Sequence, residues 1–155
     1  MAKTVVQTLI NAPLEKTFDA ALTADIGSVF RSFGPIPAIQ RVEPGTAWSR
    51  VGDERTVYLA DGSLLKEKLI DLDRPRRFIY QGYGHTNPLR FLVSHAFGTW
   101  TFDAVGEQTQ LRWNYEYVPR SFMTAPLVAA FVHGVFRGYM RNTLKNFKAF
   151  VEAKA

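Results

Sequence analysis

Glu67 and Arg55 form the one acid–base pair that this sequence offers for chemistry in an apolar setting. In Leu65-Lys66-Glu67-Lys68-Leu69 the residue types alternate, so an extended strand puts Glu67 on one face with Leu65 and Leu69 while both lysines point away. Arg55 falls into the same phase with Val57 and Leu59. Charges on a covered face are costly unless paired or wet, so Glu67 and Arg55 should bond each other or line a hydrated cavity. Burial disfavours the charged form of a carboxyl and a guanidinium favours it, which leaves Glu67 open as structural partner, ligand contact or general base. Tyr80, Tyr115 and Tyr117 add hydroxyls able to polarise a carbonyl, and each reads equally well as an amphipathic wall.

Other chemistries find no support. His85, His95 and His133 are far apart and lack metal-ligand spacing, so neither a metal nor another cofactor is expected. Ser63 and Lys66 have the spacing of a serine–lysine nucleophile, but strand positions three apart face opposite sides. The chain has no cysteine, which excludes disulfide scaffolds, thiolate metal sites and cysteine nucleophiles. Its 19 Lys and Arg against 14 Asp and Glu give a net charge of +5. These cations are scattered and no recognition motif accompanies them, so no nucleic-acid partner is expected. The uncharged run Ser121 to Phe136 falls short of the ~18–20 apolar residues of a membrane span. The N-terminus lacks a signal-peptide pattern, and a cytoplasmic location is the default expectation.

These side chains have to be positioned by the elements around them. Residues 1–155 are the size of one domain, and 46% hydrophobic with 14% aromatic residues suffices for a large core. Thr4 to Ile10 reads as a strand, and Asn11-Ala12-Pro13 opens a helix carrying Leu14, Phe18, Ala21 and Leu22. A second short helical pattern, Ile26, Val29, Phe30 and Phe33, ends at Gly34-Pro35. From Ile39 the period changes to two, and turn residues separate six strands: Ile39–Glu43, Asp53–Leu59, Leu64–Asp71, Arg77–Gln81, Leu92–Phe102 and Thr109–Val118. Leu111, Trp113, Tyr115 and Tyr117 share one face of the last strand, and Phe78 and Tyr80 share the covered face two strands earlier. Thr124 to Glu152 reads as a long amphipathic helix with Val132, Phe136, Tyr139, Thr143, Phe147 and Phe150 on its apolar side. Such an aromatic stripe is assigned to core rather than to a membrane surface. Gly134 and Gly138 fall on the polar side, without a packing role that periodicity reveals.

This order of elements resembles the helix-grip fold of the START and birch-pollen-allergen superfamily, and the chain is similar to its polyketide cyclase/dehydrase branch. The resemblance spans essentially the whole chain. It rests on Ile10-Asn11-Ala12-Pro13-Leu14-Glu15-Lys16-Thr17-Phe18, on Val51-Gly52-Asp53-Glu54-Arg55 and on Asp61-Gly62. Glu67-Lys68-Leu69 with Asp73, Arg77 and Tyr80, and Leu111-Arg112-Trp113, complete it. The fold implied is α+β: a curved antiparallel seven-stranded sheet around a long C-terminal helix, with two short helices between the first two strands. In that fold a cavity separates sheet and helix, so the inward aromatics become pocket walls.

Asp61-Gly62-Ser63-Leu64 and Gly82-Tyr83-Gly84-His85 resemble the gate and latch loops of plant abscisic-acid receptors. Pro37 or Ala38 stands where those receptors carry a carboxylate-binding lysine, so recognition of an acid is not implied. The expected function is binding of a small hydrophobic molecule, polyketide-, aromatic- or lipid-like. Arg55, Glu67, Tyr80 and Tyr115 would be its polar fixing groups, Trp113, Phe136, Tyr139 and Thr143 its walls, and Phe78 and Tyr117 further aromatic contacts. A cyclase, aromatase or dehydratase using Glu67 as base is the alternative, and whether the chain is an enzyme is left open. A dimeric lipid-handling or membrane-surface protein using Met123 to Phe136 is a third class; membrane association is disfavoured and a homodimer is left open.

Overall fold

The structure, a computed structural model, describes residues 2–23, 26–45 and 48–154, and for residues 26 and 27 the backbone alone. The inward side chain expected at Ile26 lies outside the described residues. Strand β1 (Ala2–Ile10) leads into helices α1 (Leu14–Thr23) and α2 (Ile26–Val29), followed by β2 (Ile39–Glu43), β3 (Glu54–Leu59), β4 (Leu64–Asp73) and β5 (Arg77–Tyr83). A 3-10 turn (Pro88–Phe91) precedes the long strands β6 (Val93–Val105) and β7 (Gln108–Pro119). The chain closes with α3 (Ala125–Phe131), a π-helical turn (Val132–Phe136) and α4 (Arg137–Glu152) as one helical run.

The seven strands form one sheet in the order β1-β7-β6-β5-β4-β3-β2, antiparallel throughout. From β2 to β7 each strand pairs with its successor, as short turns between alternating segments require, and β1 closes against β7. Strand phase follows the alternation: Leu111, Trp113, Tyr115 and Tyr117 are buried, while Arg112 and Asn114 are exposed.

Three elements differ from the sequence reading. Strand β5 runs on through Gly82 and Tyr83, which pair on both sides and so belong to the sheet rather than to the latch-like loop. The second short helix ends at Val29 rather than running to Phe33, because Phe33 and Ile36 pair their backbones in an isolated bridge around Gly34. The π-helical turn, which no periodicity announces, carries Phe136 inward against Tyr115 and Tyr117, with ring centroids at 4.7 and 5.1 Å.

The helices cover the concave face of the sheet unevenly, and this decides where space remains. On α1, Phe18 packs edge-on against Phe78 and Phe102 at 6.0 and 5.0 Å, and on α4, Phe147 meets Trp100 at 5.4 Å. That end of the interior is tightly filled, with a space of about 40 Å³ beside Phe78, Trp100 and Phe147. The two ends of the chain are joined there, since the Asn11 backbone N–H donates to Glu152 Oε2 at 2.8 Å. Gly138 has a packing role after all: the Phe33 ring lies on it, and a Cβ there would stand 2.6 Å from Phe33 Cζ. Gly134 has nothing within 4 Å of that position.

Candidate functional site

At the other end, β3 to β7 and the first half of the helical run stand apart around a cavity of about 370 Å³. Its floor is the concave face of the sheet: Val57, Leu65, Glu67, Tyr80, Trp113 and Tyr115. The helical run contributes Phe131, Phe136 and Tyr139, and Phe30 closes one side. Exposed lining residues mark the mouth, with Pro35 on one connection, Asp61 on the β3–β4 hairpin and Pro88 at the 3-10 turn. The hairpin and the loop after β5 are bonded to each other. Leu64 N donates to Thr86 Oγ1 at 2.9 Å, and Thr86 N donates to Leu64 O at 3.0 Å.

Arg55 and Glu67 are direct partners across β3 and β4. Arg55 Nε and Nη2 each stand 2.8 Å from Glu67 Oε1, and the two side chains are only 10% and 11% exposed. The guanidinium also lies over the Trp48 ring, 3.9 Å from its centroid, so the cation is held by a carboxylate and an aromatic face together. The pair divides between two spaces. Glu67 and Tyr80 border both the large cavity and a smaller one of about 40 Å³, whereas Arg55 and Phe78 border only the smaller.

Of the ten residues singled out from the sequence, seven line the large cavity: Glu67, Tyr80, Trp113, Tyr115, Tyr117, Phe136 and Tyr139. Phe78 is turned into the core between Phe18, Trp100 and Phe102, because α1 covers its stretch of sheet. Thr143 is buried one turn beyond Tyr139 and lines neither space. The aliphatic floor of Val57, Leu59 and Leu65 was within reach of alternation, since all three share the phase of Arg55 and Glu67. Pro35 lies in a connection and Leu89 in the 3-10 turn, where no periodicity marks a wall, and Leu92, expected to open a strand, stands just ahead of β6.

The electrostatics are those of a neutral chamber. Burial pushes the hydroxyl pKa of Tyr80, Tyr115, Tyr117 and Tyr139 far above the ordinary phenol value, and the Glu67 charge adds to this at Tyr80, Tyr115 and Tyr139. These phenols remain protonated and serve as neutral hydrogen-bonding groups. Burial lowers the His85 pKa, so this rim imidazole is uncharged at neutral pH. Among the described residues no lysine or arginine lines the large cavity, and no cluster of three His, Asp or Glu could hold a metal ion.

Comparison with known proteins now bears on this geometry. A family model described as polyketide cyclase / dehydrase and lipid transport matches residues 1–152. The chain belongs to that family. No curated protein matches it in sequence. This polyketide cyclase/dehydrase family chain is similar in structure to protein MLL2253 from Mesorhizobium loti, with TM-score 0.71 and 15% identity over 99% of this chain and 98% of that one. Major latex-like protein 151 from Panax ginseng aligns at TM-score 0.68 and 15% identity over 96% of each chain. DynU16, a protein in the dynemicin biosynthetic locus, aligns at TM-score 0.63 and 14% identity over 98% of this chain and 48% of that one. At such identities the likeness shows the fold, which for this family member is the helix-grip fold expected from the order of its elements.

Proposed function

We propose that this protein binds a small, uncharged, largely apolar molecule bearing one or more oxygen groups, held between the sheet and the first half of the C-terminal helical run. The observation that carries this reading is the large cavity itself, whose volume lies in the range of small-molecule sites. Its walls are mostly aromatic and aliphatic, its tyrosine hydroxyls are protonated, and the Glu67 charge is balanced by Arg55. An acidic ligand would meet Asp61 and Glu67, with no lysine or arginine among the described lining residues to receive it. A neutral ketone or phenol of polyketide, aromatic or lipid character meets only apolar contacts and neutral hydrogen-bonding groups.

Glu67 also supports an enzymatic reading of the same site. Both bonds described from Arg55 reach Oε1, and the carboxylate borders the cavity. In that reading Glu67 takes a proton from a carbon next to a ligand carbonyl, and a tyrosine hydroxyl stabilises the enolate oxygen. The test is native mass spectrometry of freshly purified protein, followed by titration with flavanone, a neutral aromatic ketone, monitored by isothermal calorimetry. A retained small molecule or saturable one-to-one binding, lost when Leu65→Trp fills the cavity, is the expected result. Equal responses from the parent protein and Leu65→Trp would overturn the reading.

A further inference from the structure

Beside the cavity mouth, four large apolar side chains face solvent: Phe91 is 63% exposed, Phe122 87%, Met123 74% and Leu127 59%. They come from two stretches of chain that the backbone locks together. Arg120 N donates to Leu92 O at 2.9 Å, Thr124 Oγ1 donates to the same oxygen at 3.0 Å, and Arg120 Nε donates to Arg90 O. The same stretches also line the cavity, through Leu89 and Leu92 on either side of Phe91 and through Phe131 one turn beyond Leu127. The cluster is therefore a fixed part of the rim.

Its charge pattern is one-sided. Residues 84–102 and 117–151 contain no Asp or Glu, while Arg90 and Arg120 stand within the cluster. The Arg90 guanidinium lies 4.4 Å from the Phe91 ring centroid, which places an apolar face and a cation at one spot. Carboxylates enter from neighbouring elements at Asp61, across the mouth, and at Glu116, on β7. Solvent-exposed Phe, Met and Leu interleaved with Arg90 and Arg120 suit the interface of an anionic bilayer, where apolar tips enter the acyl boundary and arginines meet headgroup phosphates.

We propose that this rim docks the protein on the surface of an anionic membrane, with the cavity mouth beside the lipid. That ligand passes between bilayer and cavity rests on the function proposed above; the docking itself does not. The test is co-sedimentation with phosphatidylcholine vesicles, pure or containing about 30% phosphatidylserine. The expected result is partition onto the anionic vesicles that falls as salt rises. Phe122→Ser with Met123→Ser should lower that partition roughly tenfold, because both tips are lost while no cavity residue changes. Leu65→Trp should partition like the parent protein, which separates failure of the ligand site from failure of docking. Absence of vesicle binding overturns the proposal. So does a dimer in analytical ultracentrifugation that Phe122→Ser/Met123→Ser converts to monomer while the parent protein ignores vesicles, since the cluster would then seat a second copy of the chain.

Discussion

The Tyr80 ring lies directly on Gly98 of the neighbouring strand, so close that a Cβ at position 98 would stand 2.3 Å from Tyr80 Cζ. Tyr80 cannot easily yield, because Trp48, Phe78 and Tyr115 hold it on its other sides with ring centroids at 6.4 Å. Gly98→Ala should therefore destabilise the fold by about 1–3 kcal/mol, the range for forced overpacking, and push Tyr80 toward the cavity. Chemical denaturation with a flavanone titration checks both effects. An unchanged midpoint would mean that the ring relaxes freely.

The Arg55–Glu67 pair is a second point of leverage. Both side chains are about nine-tenths buried, so removing one partner strands the other in a poorly solvated site. Glu67→Gln should cost roughly 3–5 kcal/mol of stability, and Glu67→Gln with Arg55→Met should recover much of it. Additive losses in the double variant would show the two groups to be energetically independent.

Two glycines of the C-terminal helical run should respond differently to alanine. At Gly134 the added methyl meets open space, so the backbone preference for Ala should raise stability by up to ~1 kcal/mol. At Gly138 the same gain is opposed by contact with Phe33, a ring 37% exposed and so able to retreat toward solvent. Gly138→Ala should therefore fall below Gly134→Ala in thermal midpoint; the reverse order would contradict the Phe33 contact.

Acid should weaken the fold through two carboxylates that accept hydrogen bonds on the surface. Asp53 is held below its ordinary pKa of 3.8 chiefly by the backbone N–H groups of Ser49 and Arg50. Glu152 is held below 4.5 by Lys148 and then by the Asn11 backbone N–H. A folded-state pKa below the unfolded one means that the contribution is present above the unfolded value and is lost as pH falls through the folded one. Stability should decline as pH drops through about 4.5 and below. Asp53→Asn and Glu152→Gln should each flatten that decline in urea melts compared across this window.

The order of elements and the inward phase of Glu67, Trp113 and Tyr115 were legible in the chain, because alternation, turn residues and helical periodicity act over a few neighbouring positions. The register that seats Arg55 opposite Glu67 follows from the hairpin between them. Which inward residues meet empty space was decided only in three dimensions. Phe78 and Tyr80 share a strand face, yet α1 packs Phe18 onto the first while the second borders both spaces. Gly138 reads as an unexplained position until Phe33 is seen lying on it, and the approach of Tyr80 to Gly98 is likewise visible only in three dimensions. A cavity is volume that packing leaves unfilled, set by how far each helix reaches across the sheet. That distance depends on contacts between residues remote in sequence, and no local pattern records it.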